Sequence, residues 1–235
     1  MTGTQDTELI LINEAFYADR VTRRDLDLLL ANGWRHFGER FQRYSLNYYK
    51  DEIRRVIPLR VRLSEFKFSK SQRRVLRKNA DAEGTISPAV ITPDVHELFE
   101  LHKARFTHDV PDSIYTFLSY EPATCPTDGM MLRVTLDENL VAVSFFELST
   151  RGLSSIYAMF HPDYAARGLG IFTMLKEIEC ARDQAKHFYY HGYAYEGESF
   201  YDYKKRLSGL EAFDWKGNWL SFNAEPAEVA GQARS

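Results

Sequence analysis

The spacing of apolar residues predicts two helices and a strand in the first part of the chain. Residues 22–33 carry a run of leucines between an acidic capping pattern and a glycine, which is typical of a short capped helix. Residues 56–63 alternate as a strand does, and Pro58 places that strand at a sheet edge or a bulge. Residues 69–79 predict a second helix, which we expect Ser69 to cap.

A connector and a third helix follow. Residues 84–92 hold a glycine and a proline among small side chains, a composition that is typical of a connector. Residues 94–107 then return to helical spacing of apolar positions. We therefore expect a domain boundary near residue 88.

The second half of the chain has the pattern of a mixed sheet with one helix. Three apolar, aromatic-rich runs separated by turn residues predict a meander of strands, over residues 131–136, 140–148 and 153–160. A glycine-rich turn opens a helix over residues 166–179, and residues 187–193 predict a further strand. This order indicates a mixed fold, α/β in the broad sense and α+β more narrowly, with an acetyltransferase-like sheet. In that architecture a turn such as the one at Gly168 and Gly170 holds pyrophosphate on free backbone N–H groups, although two glycines also simply permit a tight turn.

Charge is distributed unevenly along the chain. The whole chain has a formal net charge of −3, yet residues 54–78 contain ten lysines and arginines against Glu65 alone. Five of these cations recur at helical spacing along one face of the second predicted helix: Lys70, Arg73, Arg74, Arg77 and Lys78. A solvated charged face usually interleaves acidic residues four positions apart, and this face has none. We therefore interpret it as a surface for a polyanion, with a structured nucleic acid as the expected partner.

Composition limits the remaining possibilities. The chain has 235 residues, of which 44% are hydrophobic, so it can bury a sizeable core. It has no apolar run near the roughly 20 residues that cross a bilayer and no signal-like N-terminus, so we expect a cytoplasmic protein that does not bind membranes. Cys125 and Cys180 lack the paired spacing of a metal or redox motif, so we expect no metal site.

Several short segments, taken in order, resemble one known family. They are Gly33–Arg35, Pro58–Val61, Phe66–Asn79, Tyr157–Pro162, Arg167–Gly170, Gly192–Tyr193 and Tyr203–Lys204. Together they resemble the arginyl-tRNA–protein transferase family, including its bacterial leucyl-transferring branch, from about residue 16 to about residue 219. The resemblance implies an N-terminal family domain over residues 1–88 and an acetyltransferase-like catalytic domain over residues 89–222, and we expect residues 223–235 to form a disordered tail.

The activity that the resemblance implies is transfer of an amino acid, arginine or leucine, from aminoacyl-tRNA to the α-amine of a protein or peptide, with an acidic N-terminus favoured. Charged tRNA is then the co-substrate, and no cofactor is implied. The cationic helix would bind phosphates of the tRNA acceptor end, Arg60 and Arg62 would extend that track, and Arg167, Gly168 and Gly170 would form the turn that also contacts the tRNA.

The aminoacyl ester is already activated, so positioning of the amine should dominate the rate, helped by a donor to the developing oxyanion. The candidate donors are Tyr157, Tyr193 and Tyr203, although a tyrosine beside apolar residues in a strand is more often a core residue. Lys204 is the candidate electrostatic partner for the tRNA 3′ end or for an acidic side chain of the acceptor.

Departures from the family pattern leave the substrates open. The family has a cysteine-rich stretch where this chain has residues 48–57 without a cysteine, which excludes a thiolate cluster there. Glu198 and Tyr201 stand where the family has a cysteine and a methionine, so the substrate pocket differs in charge and shape. The alternatives are a ligase for a dedicated peptide or small molecule, a non-catalytic tRNA-binding module, and a CoA-dependent acetyltransferase. The sequence does not predict an oligomeric state.

Overall fold

A computed structural model describes residues 10–222 of the chain, and the expected disordered tail at residues 223–235 lies outside the described residues. The strands are β1 Asn13–Tyr17, β2 Arg35–Phe37, β3 Arg40–Tyr44, β4 Leu46–Tyr49, β5 Glu52–Arg62, β6 Glu83–Pro88, β7 Gly129–Leu136, β8 Asn139–Leu148, β9 Gly152–Phe160, β10 Phe188–Tyr195, β11 Leu210–Phe213 and β12 Trp219–Ser221. The α-helices are α1 Arg23–Ala31, α2 Lys70–Lys78, α3 Pro93–Lys103 and α4 Leu169–Asp183. Within the described range, no helix is long and apolar enough to cross a membrane.

The helices begin where the sequence predicts. Thr22 caps α1 by accepting a hydrogen bond from the Asp25 backbone N–H. Ser69 and Gln72 form a reciprocal capping box at the start of α2, which satisfies two backbone donors that would otherwise lack a partner. These contacts confirm the predicted starts of both helices.

Nine strands form one large sheet, in the order β12-β11-β5-β10-β9-β8-β7-β6 with β4 paired to β5. The meander β7-β8-β9 is antiparallel as predicted, whereas β9 and β10 pair in parallel because α4 connects them. Alternate residues of β8 contribute to two apolar clusters on opposite sides of the sheet. Helices α2 and α4 cover one face, and α3 covers part of the other. The predicted α+β class with an acetyltransferase-like sheet is thereby confirmed.

The expected connector at residues 84–92 is wrong, because residues 83–88 form the edge strand β6. This strand pairs with β7 from Glu83 to Pro88 and is largely exposed. Gly84 brings the backbone close to Leu132, since a Cβ there would lie 3.3 Å from that side chain. An edge strand with so few apolar residues has the composition of a connector, which is why the sequence pattern missed it.

Of the two positions expected for the strand at residues 56–63, the edge is wrong, because β5 lies inside the sheet between β10 and β11. The bulge agrees with the structure, since the register of the β5–β10 pair shifts between Tyr190 and Gly192. Pro58 lies opposite Tyr193 of β10. On its other side, Pro58 falls between the stretch of β5 that pairs with β4 and the stretch that pairs with β11. A residue without a backbone N–H is tolerated at this interruption. Since β4, β5 and β6 join a sheet whose other strands lie after residue 88, the expected boundary does not coincide with a break in that sheet.

The small sheet β1-β3-β2 and helix α1 pack on the face of the large sheet opposite α4. Their apolar side chains meet Phe188 and Tyr190 of β10. This packing places β2 directly over the parallel pair β9 and β10.

Candidate active site

Strands β9 and β10 separate after a short parallel stretch. They pair only from Gly152 to Ser154 on β9 and from Phe188 to Tyr190 on β10. Both strands then change register with their other neighbours. The β10–β5 pair shifts between Tyr190 and Gly192, and the β9–β8 pair shifts between Phe145 and Phe146 of β8. We call the gap between residues 155–158 of β9 and residues 191–195 of β10 the split. Backbone groups that line a gap of this kind need partners from elsewhere in the chain.

Arg35 of β2 supplies partners on both sides of the split. Its guanidinium donates hydrogen bonds to the carbonyl oxygen of Tyr190 at 3.4 Å and to that of Ser155, and to the Ser154 hydroxyl at 3.0 Å. A planar guanidinium with several donors is suited to this bridging, which a lysine ammonium cannot reproduce. Burial lowers the pKa of Arg35, although Glu147 opposes that shift.

A buried ion pair holds β2 in this position. His36 Nε2 lies 2.6 Å from Glu147 Oε2, and His36 Nδ1 lies 2.8 Å from the Gly38 carbonyl oxygen. Both ring nitrogens thus contact oxygen acceptors, and the ring connects β2 to Glu147 of β8. Burial alone would raise the pKa of Glu147, but His36 together with hydrogen bonds from Thr127 and Ser154 lowers it.

Lys204 reaches the split from the other side, in the 3₁₀ segment Phe200–Arg206 that follows β10. Its ammonium donates to the Tyr193 carbonyl oxygen at 3.1 Å and occupies the space beside Gly192, where an added Cβ would lie 3.0 Å away. Gly192 has a φ of 96°, a backbone conformation that only glycine adopts readily. Burial, reinforced by the positive charge of Arg35, lowers the pKa of Lys204 to about 7.

The three predicted tyrosines lie in different surroundings. The Tyr193 hydroxyl donates to the Gly33 carbonyl oxygen at 2.6 Å, so it ties β10 to the segment after α1. Tyr203 packs against the core beneath α4, and burial raises its pKa to about 12. The Tyr157 ring stacks on Phe117 at 4.0 Å, on the face covered by α3, and its buried hydroxyl has no hydrogen-bond partner within residues 10–222. The structure thus brings the Lys204 ammonium to the Tyr193 backbone but places the Tyr193 hydroxyl and the Tyr203 ring on opposite faces of the sheet, and it turns Tyr157 away from Lys204.

The Tyr193 contact gives a first prediction. Tyr193→Phe removes the donor to the buried Gly33 carbonyl, so we expect the free energy of unfolding to fall by about 1–2 kcal/mol. Turnover per folded molecule should stay near the wild-type value, because the hydroxyl faces away from the split. Urea unfolding beside single-turnover kinetics checks this, and a loss of turnover at unchanged stability would instead return the hydroxyl to the chemistry.

Glu177 is a buried charge that the sequence pattern did not reveal. It lies on the inner face of α4, is 1% exposed, and accepts a hydrogen bond from the Tyr189 hydroxyl at 2.6 Å. Its Oε1 has no hydrogen-bond partner within the described part of the chain, and the same holds for the nearby His191 Nδ1. Burial raises the pKa of Glu177 to about 7. An acidic residue beside Ile178 in an otherwise apolar stripe was the available signal.

Glu177 gives a second prediction, on stability and pH. Because its folded pKa lies above the ordinary value, the native state binds more protons between about pH 4.5 and 7, and wild-type stability falls as pH rises through that window. Glu177→Gln keeps the acceptor for Tyr189 without the charge. We expect the variant to be more stable than wild type by about 2–4 kcal/mol at pH 8 and nearly equal to it at pH 5. Urea titrations at both pH values measure this difference, and a difference independent of pH would contradict it.

The cations of α2 form an exposed surface next to the start of α4. All five are exposed, and none has a carboxylate within ion-pair distance in residues 10–222: Lys70, Arg73, Arg74, Arg77 and Lys78. Lys78 donates to the Ala166 carbonyl at 2.6 Å and Asn79 to the Arg167 carbonyl at 3.0 Å, while Arg167 pairs with Asp81 at 2.8 Å. Gly168 has a φ of 70° and begins α4 beside Val75. We call these five cations and the turn at residues 166–168 the cationic face.

Gly170 and Arg60 have other roles. A Cβ on Gly170 would lie 3.6 Å from Phe160, so this position permits close packing of α4 on β9. Arg60 is only 7% exposed, pairs with Glu211 at 2.6 Å, and lies between the rings of Phe188 and Trp219. A buried and paired guanidinium cannot reach phosphate, so Arg60 forms no part of the cationic face.

The two predicted pocket residues lie at the carboxyl end of β10. Glu198 is exposed and lines an open cavity of about 530 Å³ together with Arg54 and Arg55. Tyr201 packs its ring 5.8 Å from that of Tyr195 and 5.0 Å from the Lys204 ammonium. Tyr201 therefore adjoins the split, whereas Glu198 lies beyond it.

The strand order, the separating parallel pair and the helix that starts at its open end define an acetyltransferase-like fold. Comparison with known proteins gives the family. Residues 94–214 match the family model described as arginine-tRNA-protein transferase, C terminus. The chain belongs to this family, and the expected class of enzyme, a tRNA-dependent aminoacyltransferase, is confirmed.

The sequence relatives include proteins named aspartate/glutamate leucyltransferase. The protein of that name from Stenotrophomonas maltophilia is 30% identical over 250 residues, covering 94% of this chain and 96% of the relative. The one from Marinobacter nauticus is 30% identical over 193 residues, covering 79% of this chain and 80% of the relative. A solved structure described as FemX superposes with a TM-score of 0.48 at 13% identity, over 78% of this chain and 66% of that one. The family assignment rests on the sequence matches.

Proposed function

We propose that this enzyme transfers leucine from leucyl-tRNA to the α-amine of a protein whose N-terminal residue is aspartate or glutamate. The relatives named for this activity support the proposal, since one of them matches almost end to end. Arginine is the competing donor, because it is the amino acid named in the description of the family model.

The observation that carries the proposal is the position of the cationic face relative to the split. Helix α4 starts directly after the carboxyl end of β9, with only the 3₁₀ segment Pro162–Arg167 between them. Its first turn therefore lies at the end of the sheet where β9 and β10 have separated. A tRNA acceptor end bound through its phosphates on α2 and this turn can extend its 3′ terminus into the split.

The reaction depends more on aligning the acceptor amine with the ester than on activating the ester, which is already reactive. The acceptor nitrogen forms a bond to the ester carbonyl carbon, the bond from that carbon to the tRNA 3′ oxygen breaks, and the proton lost by the amine balances the one gained by the released hydroxyl. The Tyr203 hydroxyl has no hydrogen-bond partner within residues 10–222, and we assign it as the donor to the carbonyl oxygen during attack. Aminoacyl-tRNA enters as co-substrate, and the proposed reaction uses no further cofactor.

Transfer of radiolabelled leucine tests the proposal. The purified protein is given leucyl-tRNA or, separately, arginyl-tRNA, with peptides that begin with Asp, Glu or Ala. We expect label from leucyl-tRNA on the Asp and Glu peptides and none on the Ala peptide. Transfer of arginine alone would change the donor, and tRNA retention without any transfer would favour a dedicated acceptor or a binding module.

A further inference from the structure

The split contains two positive charges that form no ion pair within the described residues, although Glu147 and Glu177 act on Arg35 from farther away. Neither Arg35 nor Lys204 has an acidic side chain within ion-pair distance in residues 10–222. The neighbouring residue shows the contrast, because Lys205 pairs with Asp202 at 2.8 Å. Charges withdrawn from water normally have a counter-ion, so an unpaired pair of cations here indicates a place for an anion.

Lys204 retains hydrogen-bonding capacity in this position. Its ammonium has three donors, and within the described residues it uses one of them, on the Tyr193 carbonyl oxygen at 3.1 Å. The absence of a side chain at Gly192 leaves room for the ammonium inside the bulge of β10. The remaining donors are available to a ligand that enters between the two strands.

The surroundings favour a small anion over a phosphate backbone. Lys204 is partly buried, beneath the ring of Tyr201 and beside the half-buried Arg35, whereas the cations of α2 are exposed along a whole helix. The exposed cations of α2 are arranged to contact the successive phosphates of a tRNA. The enclosed pair, Lys204 and Arg35, has room and charge for a single carboxylate.

We propose that Lys204, with the charge of Arg35 beside it, binds the side-chain carboxylate of the acceptor's N-terminal residue and so selects aspartate and glutamate over their amides. This inference rests on the proposed function, since it names the residue that recognises the acceptor. A carboxylate placed here leaves the α-amine of the same residue next to the end of the split where the ester arrives. An amide at the same place leaves the enclosed Lys204 ammonium without a counter-ion, which accounts for the larger part of the discrimination.

Specificity kinetics test the proposal. Wild type, Lys204→Met, Lys204→Arg and the control Lys205→Met are compared with leucyl-tRNA and matched peptides that begin with Asp or Asn. We expect wild type to prefer Asp over Asn by about 100-fold or more in kcat/KM. Lys204→Met should lose most of this preference, chiefly through a higher KM for the Asp peptide, with Lys204→Arg in between and Lys205→Met unchanged. Full preference in Lys204→Met, or an equal loss with both peptides, would overturn the proposal.

The pH dependence of the same preference supplies an independent signature. The ratio of kcat/KM for Asp and Asn peptides cancels the titration of the acceptor amine, so it should fall above pH 7 as Lys204 loses its proton. The titratable groups around Lys204 are Arg35, His191 and the tyrosines at positions 193, 201 and 203. Burial keeps His191 neutral with a pKa of about 3 and raises the pKa of each tyrosine. Glu177 also titrates near pH 7, so the fall should persist in Glu177→Gln and disappear in Lys204→Met.

Amine footprinting separates this inference from the proposed function, because it needs no transfer. The wild-type protein is treated with acetic anhydride at pH 7, alone and with the Asp or the Asn peptide, and Lys204 acetylation is read by mass spectrometry. We expect the Asp peptide to protect Lys204 several-fold more than the Asn peptide, with Lys205 as internal reference. Equal protection by the two peptides would overturn the inference even in an active enzyme, and selective protection would support it even if the donor proves not to be leucine.

Discussion

Replacing Arg73, Arg74 and Arg77 together by alanine should weaken tRNA binding about 100-fold and flatten its salt dependence. Each of these guanidinium groups is exposed on α2 and has no carboxylate within ion-pair distance in the described range. An exposed contact between a phosphate and a guanidinium contributes up to about 1 kcal/mol, so three of them together account for an effect of about 100-fold. Removing up to three phosphate contacts should also lower the slope of log K against log salt concentration by roughly two to three.

Filter binding of charged tRNA from 50 to 200 mM salt measures both quantities. A matched control removes three exposed arginines elsewhere, Arg24, Arg182 and Arg206, and so changes the net charge by the same amount. If the control lowers affinity and slope as much as the α2 variant does, only overall charge matters and α2 is not the interface. An unchanged slope in the α2 variant would lead to the same conclusion.

Replacing Arg35 by methionine should damage both stability and turnover. The variant leaves the carbonyl oxygens of Tyr190 and Ser155 without their donor, which should lower the free energy of unfolding by about 2–4 kcal/mol. With the bridge gone, the two strands are no longer held at a fixed spacing. Misplacement of reacting groups by about 1 Å costs on the order of 100-fold in rate, and we expect kcat/KM to fall by about that factor.

Two companion variants make the Arg35 prediction specific. Arg35→Lys keeps the positive charge near Lys204 but cannot span both strands, so it should lose nearly as much turnover as Arg35→Met. Arg40→Met removes an exposed arginine at the start of β3, directly after the turn that connects β2 to β3. This variant should behave as wild type. Full turnover in Arg35→Lys would show that charge matters and the bridge does not. Wild-type stability in Arg35→Met would remove Arg35 from any architectural role.

Local pattern was enough to predict the parts of the structure that local physics determines. The starts of α1 and α2 follow from capping side chains that bond to their own backbone within three residues. The meander follows from three consecutive apolar runs that are joined by short turns, so that each strand pairs with the next one along the chain. The cationic face was predictable as a helix surface because its five members repeat at helical spacing.

The meeting of Arg35 with Lys204 at the split was not predictable, because the two residues come from distant parts of the chain. Arg35 arrives from β2 and Lys204 from the segment after β10, and nothing in their local sequence indicates that they meet. Arg60 shows the opposite failure: it looked like part of a basic track, but Glu211, far along the chain, neutralises it inside the protein. Pairing at long range thus determines which cations remain available.

Photo-crosslinking determines whether tRNA held on the cationic face delivers its aminoacyl group into the split. A leucyl-tRNA analogue that carries photo-leucine on its 3′ end through a non-hydrolysable amide is bound to the wild-type protein, irradiated, and the attachment sites are mapped by mass spectrometry. We expect attachment within residues 155–158 of β9 or 191–195 of β10, and loss of that product in the α2 triple variant. Attachment confined to residues outside the split, with tRNA still bound, would contradict it.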